Sequence, residues 1–376
     1  MSSARKKILW LVPEEKGGIR DYADVLWPEI ESQCAEAGWS VGRVDTSPLD
    51  RADKILKAAR RIREQAPDLI HVQHEFGLFG SKLPPLYHFP ALVAELRSVA
   101  PIVATGHTVL GADYTLPWRN RGWKSLPRFL LNHTLVPYAR STWLAGTWGG
   151  LAGAIVHSRL QGATVEAAGC PRVTVIPHFV PSRPKLLPPD GGDVVVFGFF
   201  SPEKGQDIAI RAWKQLNLPG RRLLLAGGVR RESDRSYFEM CRNLIREGGL
   251  TNVEITGYVP AAELEKQFQS AALVLAPFRE TSGSGTLAQA FARGLPILAS
   301  DLPLNRELSE RTPGSLEFFR TEDPSDCARQ LESLLLDAGK RIALAKGAAD
   351  YAASHSLQVT ARRHVGFYQG LLGAAP

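Results

Sequence analysis

Short apolar runs alternate with longer stretches of helical periodicity along this chain. The alternation breaks off once, at PSRPKLLPPDGGD (residues 181–193), and then starts again. Stacked βαβ units leave this pattern, because a parallel strand is covered by helices on both faces and reads as an unbroken apolar run. Before the break, strands are expected at residues 8–12, 69–72, 102–105, 154–157 and 173–176. After it they are expected at 194–198, 222–226, 253–256, 273–276 and 297–300. The break itself has neither periodicity nor apolar content and reads as a linker. The expected fold class is therefore α/β in two domains, residues 1–185 and 186–355, and 376 residues suit that number. Residues 356–376 read as a helix able to pack back on the N-terminal domain. A ligand is expected between the halves, at the carboxyl ends of both sheets.

Composition narrows the class further. With 44% hydrophobic and 22% charged residues, the chain has globular content and is neither disordered nor fibrous. Cys34, Cys170, Cys241 and Cys327 are scattered without a CxxC spacing, so no disulfide ladder or zinc site is expected and a reducing compartment fits. No apolar run approaches the ~18 residues of a membrane span, and the expected location is cytoplasmic. The net charge of +7 points to an anionic partner without choosing one.

Several stretches carry chemistry. Gly17-Gly18 stands before a helix and would let a ligand approach the backbone; no GxGxxG is present, which argues against a dehydrogenase. In DLIHVQHEFGLFG, His71, His74 and Glu75 match no zinc-protease order, and a strand-end cluster is the preferred reading over a metal site. His107 follows a strand and could reach a crevice. In VVVFGFFSPEKGQ, Lys204-Gly205 places an ammonium at a helix start, suited to a diphosphate. Arg230 and Arg231, after LLLAGG, are read as a turn that is either solvated or ligand-facing, with Arg231 favoured as solvated. In APFRETSGSGTLAQAFARGLPILASD, Glu280 sits in a loop before Ser284, Gly285 and Thr286, and Gln289 lies on the helix they open.

In their order, the GG loop, QHEFGLFG, TGHTVL, VIPHF, FSPEKG, GYVP, APFRE…GSGT and GLPILASD resemble glycosyltransferase family 4, over roughly residues 8–370. The resemblance implies a GT-B fold, two Rossmann-like domains facing each other across a cleft, and retaining transfer from a nucleotide sugar without metal or other cofactor. It implies that Gly17 and Gly18 approach the donor diphosphate and that His107 lies beside the transferred sugar. Lys204 would pair the phosphates, helped by amides at Ser284, Gly285 and Thr286. Glu280 would hold sugar hydroxyls, Gln289 would lie near the ribose, and Tyr258 and Val259 would hold the base. Three positions depart from the family pattern. Phe199 stands where an arginine usually precedes the lysine by five residues, Gln289 replaces an acid, and Ala272 replaces an Asp.

The acceptor side is read from two basic stretches. Residues 51–64 carry six basic and two acidic residues, with Ile55, Ala59 and Ile62 on one helical face, and read as a surface helix. Residues 111–150 combine five basic residues and one acidic with Trp118, Trp123, Trp143 and Trp148. Such a surface suits sugar stacking or a lipid headgroup layer, and a helical insertion with core tryptophans is the plain alternative. His74, Trp118, Arg119 and Trp123 are the acceptor candidates. The expected function is transfer of a hexose from a UDP- or GDP-linked donor to a carbohydrate or lipid-linked glycan in polysaccharide biosynthesis, with peripheral contact at the inner membrane face and no nucleic-acid partner. The alternatives are a sugar-nucleotide epimerase and a weakly active or non-catalytic sugar-nucleotide binder.

Overall fold

A computed structural model describes residues 5–80, 86–111, 130, 131, 133, 134, 136, 144–281 and 285–373. They form two compact units, one of residues 1–177 with 358–376 and one of residues 178–357.

The first unit is built on a six-stranded sheet, β1 (Lys7–Pro13), β2 (Ser40–Thr46), β3 (Leu69–His74), β4 (Ile102–Gly106), β5 (Gly153–Val156) and β6 (Val173–Val175). Its order is β2-β1-β3-β4-β5-β6, every pair parallel. The second unit repeats the design with β7 (Asp193–Phe197), β8 (Leu223–Ala226), β9 (Val253–Ile255), β10 (Ala271–Ala276), β11 (Ile297–Ser300) and β12 (Glu317–Phe319), in the parallel order β12-β11-β10-β7-β8-β9. Each strand read from the sequence has its counterpart among these. β2 and β12 are additions. Both lie at sheet edges, where one face of pairing is missing and the demand for apolar side chains drops. In β2 (SVGRVDT) the charged residues are used, with Arg43 pairing Asp24 at 2.6 Å and Asp45 at 2.7 Å.

The Pro-rich linker packs with the second unit. The Lys185 ammonium reaches the carbonyl of Ala292 at 3.1 Å, and the amide of Leu186 donates to the Arg293 carbonyl at 2.8 Å. The unit boundary therefore falls at Pro177 and His178, ahead of the Pro-rich stretch. The C-terminal helix Leu357–Gly373 returns to the first unit. There Tyr368 is fully buried and its hydroxyl hydrogen-bonds His71, whose other ring nitrogen meets Thr105 Oγ1 at 2.8 Å. Gly153 leaves the space for Phe367, since a Cβ would lie 2.7 Å from its ring.

The basic helix Ala52–Arg63 buries Ile55, Ala58, Ala59 and Ile62. Much of its charge is matched: Lys54 pairs Asp50, Arg51 pairs Asp53, Arg60 pairs Glu64 and Arg63 pairs Glu95. Among the described residues, no helix is long and apolar enough to cross a membrane.

Buried histidines give the first unit a pH signature. Desolvation lowers His364 from 6.5 to about 4, opposed by its hydrogen bond to the Thr360 carbonyl, and lowers His74 to about 3. Both rings stay neutral in the fold but take up protons once unfolded, so stability is full above pH 6.5 and falls as the pH drops toward 4. Urea midpoints measured across that window should decline, and His364→Gln should make the decline shallower. A pH-independent midpoint would exclude this origin of acid sensitivity.

Candidate functional site

The strand order of the second unit reverses direction between β7 and β10. Crevices at such switch points, outside the carboxyl ends of the strands, are where open α/β sheets bind ligands. A cavity of about 630 Å³ opens there, walled by the ends of β7 and β8 and by the start of the helix Gly285–Arg293.

Bare backbone makes the wall possible. The amide of Gly198 donates to Ala226 at 3.0 Å, and the amide of Phe200 to the carbonyl of Gly228 at 3.0 Å, so the two strand-end loops are laced together. A Cβ on Gly227 would stand 2.0 Å from the Gly198 carbonyl oxygen, a collision only glycine avoids. Thr286 Oγ1 donates to the Phe197 carbonyl at 3.0 Å and ties the helix start to the end of β7.

Lys204 enters this cavity from the short 3₁₀ turn Pro202–Lys204. Gly205 follows in the left-handed region, at φ 67°, and a Cβ there would lie 1.9 Å from the Pro277 carbonyl oxygen. The Lys204 ammonium rests 4.2 Å from the centre of the Phe278 ring. Burial pushes its pKa down, with Glu203 opposing that shift.

Arg279 holds the turn from behind. Its guanidinium binds both Asp207 oxygens at 2.9 Å, the Pro202 carbonyl at 2.8 Å and Glu322 at 2.7 Å. Tyr237 donates to the same Asp207 carboxylate at 2.6 Å. Burial pushes the Asp207 carboxyl up, but hydrogen bonds from Arg279 and Tyr237 and the Arg279 charge more than offset it and hold it below the usual range. No sequence pattern singles out Arg279 or Asp207. The only signal is an arginine directly before Glu280 and an aspartate directly after Lys204-Gly205-Gln206.

Of the residues expected at a donor site, Lys204, Tyr258, Val259, Gly285 and Thr286 line this cavity, together with Phe199, Arg230 and Arg231. Glu280 is exposed and Gln289 half-buried, and neither lines it. The amide oxygen of Gln289 accepts from Arg293 at 2.8 Å, and Arg293 is also paired with Glu265. That turns the Gln289 oxygen toward Arg293 and leaves its NH2 group to donate. Ser284 lies outside the described residues, as do Trp118, Arg119 and Trp123.

In the first unit, His107 stands just past the end of β4, half-buried. Its Nε2 donates to Gln73 Oε1 at 2.8 Å, and its ring packs edge-on to Tyr22 with centroids 4.9 Å apart. Beside it Thr108 donates to Glu75 at 2.5 Å, so polar groups gather at the carboxyl edge of that sheet. Gly17 and Gly18 begin the helix Gly18–Glu36, and a Cβ at either would meet nothing within 4 Å. The fold does not require glycine at these positions, and the space above them is open.

His74 is a correction. It is fully buried among Phe76, Phe79, Phe89 and Trp148, with Nε2 at 2.6 Å from the Tyr87 hydroxyl. As the last residue of β3 it faces the core and not the sheet end, so it cannot serve an acceptor.

Residues 191–337 match the family model for glycosyl transferases group 1. A curated relative, the D-inositol 3-phosphate glycosyltransferase of Stackebrandtia nassauensis, is 31% identical over 200 residues. The match covers 50% of this chain and 44% of the relative, so it spans less than half of that protein's length. Among solved structures, the sucrose-phosphate synthase of Thermosynechococcus elongatus superposes with a TM-score of 0.71 at 14% identity, covering 99% of this chain and 100% of that one. Anabaena HepE, solved in complex with UDP, gives 0.69 at 16% identity, covering 97% of this chain and 99% of that one. At these identities the likeness establishes the fold: two parallel six-stranded sheets with helices, as in GT-B glycosyltransferases.

The Arg279 clamp yields a test that needs no ligand. Breaking a partly buried pair strands the remaining charge, so Arg279→Ala should cost about 2–3 kcal/mol of stability. Urea denaturation measures this, and hydrogen exchange should quicken first at residues 203–207. Unchanged stability would remove Arg279 as the support of the Lys204 turn.

Proposed function

We propose, taking the match of residues 191–337 to glycosyl transferases group 1 as premise, that this protein is a retaining glycosyltransferase. It moves a hexose from a UDP- or GDP-linked donor to a carbohydrate or lipid-linked glycan. The observation that carries the reading is the Lys204 ammonium, partly buried in a cavity at a switch point, where burial lowers its pKa. Among the described residues it makes no ion pair. A cation desolvated without a fixed counter-ion is offset by an anionic ligand, and the nearby helix starts favour phosphate.

In this reading Lys204 and the amides at Gly285 and Thr286 hold the donor diphosphate, with Gly17 and Gly18 leaving room for its approach. Tyr258 and Val259 flank the base. Glu280 takes sugar hydroxyls, Gln289 donates to the ribose, and His107, oriented by Gln73, serves the sugar being transferred. The acceptor hydroxyl attacks the anomeric carbon as the bond to the diphosphate breaks. The departing phosphate accepts the hydroxyl proton, and attack on the face it leaves retains configuration. The enzyme's share is positioning and stabilisation of the charge that grows on the leaving phosphate. No metal is needed for that step. The segment 111–150 is the proposed acceptor surface, working in the cytoplasm or at the inner membrane face.

Incubation with UDP- and GDP-sugars, reading released nucleoside diphosphate, tests the activity. Lys204→Ala should lower turnover by roughly 10²–10³-fold, since removing one transition-state donor typically costs about that much. Near-normal turnover in the variant would overturn the phosphate assignment. An isomerised donor, or binding without turnover, would overturn transfer itself.

A further inference from the structure

We infer that Arg230, seated on the Phe199 ring in the loop after β8, supplies a second diphosphate cation beside Lys204 in this chain. The inference rests on the nucleotide-sugar reading above and concerns which side chains grip the donor.

The two positions share one wall. Hydrogen bonds from Gly198 to Ala226 and from Phe200 to Gly228 run the loops side by side, so residues 199 and 230 both reach the cavity that Lys204 enters. The Arg230 guanidinium carbon lies 5.4 Å from the centre of the Phe199 ring. Phe199 is 41% exposed, high for an aromatic ring at a strand end, and its face is a seat for that planar cation. The guanidinium makes no ion pair among the described residues: Glu232, next but one along the chain, is taken by Arg235 at 2.7 Å. An arginine stacked on a ring keeps its N–H groups free at the edge for bidentate contact with phosphate. Phe199 thereby seats a second positive charge on the wall of the cavity that Lys204 enters.

A cation for the diphosphate should discriminate between one phosphate and two. Calorimetric titration of the full chain with UDP, UMP, GDP and GMP reads this directly. Arg230→Ala should weaken the diphosphate that binds by roughly 10–100-fold, the range for a lost charge-assisted bond. It should weaken the matching monophosphate by less than about threefold, with the melting temperature unchanged. Phe199→Arg in the Arg230→Ala background should recover most of the loss. Undiminished diphosphate affinity in Arg230→Ala, or an equal loss for mono- and diphosphate, would overturn the assignment. A wild-type chain that binds none of the four nucleotides would instead overturn the nucleotide-sugar reading itself.

Discussion

Two carbonyl oxygens, those of Gly198 and Pro277, are approached so closely by glycine backbone that no side chain could be tolerated there. Gly227 crosses the first and Gly205 the second, and these contacts decide the shape of the strand ends in the second unit. With them in place the loops after β7 and β8 run as a laced pair, the Lys204 turn is pressed against the end of β10, and a cavity opens between. Without them the strand ends would splay and the cationic side chains would point into solvent. The Arg279–Asp207 clamp acts on this frame from outside. It binds the turn that carries Lys204 while leaving the ammonium itself in the cavity.

Most of the fold could be read from residue pattern, because buried parallel strands such as ALVLA and LLLA are apolar without interruption. β2 escaped notice because its polar residues are stabilised by partners in the neighbouring helix that no local pattern shows. In β12 (EFF) the exposed Glu317 opens the strand and leaves only two phenylalanines as its apolar run. Lys204 and the glycines beside it were legible because a strand, a turn and a helix start follow one another directly in sequence. His74 was misread for the opposite reason. Its position at a strand end suggested access, whereas Phe76 and Phe79 just after it, with Phe89 and Trp148 from later segments, enclose it. Arg279 and Arg230 each act through a partner tens of residues away, Asp207 and Phe199, and spacing alone cannot reveal such pairs.

Gln289 and Phe199 are uncharged at positions where the sequence resemblance leads one to expect charge, and the structure treats them differently. Gln289 is drawn into a local pair with Arg293, which is itself committed to Glu265, so its environment has closed around the change. Phe199 stays open to the cavity and offers a surface. The first substitution alters a hydrogen-bond donor set, and the second alters where charge is carried.

The path of the chain has a consequence for how the molecule is made. The second unit is one continuous stretch, whereas the first is assembled from residues 1–177 and a final helix whose residues 358–373 complete it. During synthesis the second unit can close on itself as soon as it has emerged. The first must wait, with His71, Trp10 and the groove for Tyr368 and Phe367 uncovered, until residues 358–373 have followed the whole of the second unit. A segment made after the second unit therefore finishes the unit that precedes it, and a chain truncated before residue 358 would expose the apolar face on which that helix packs.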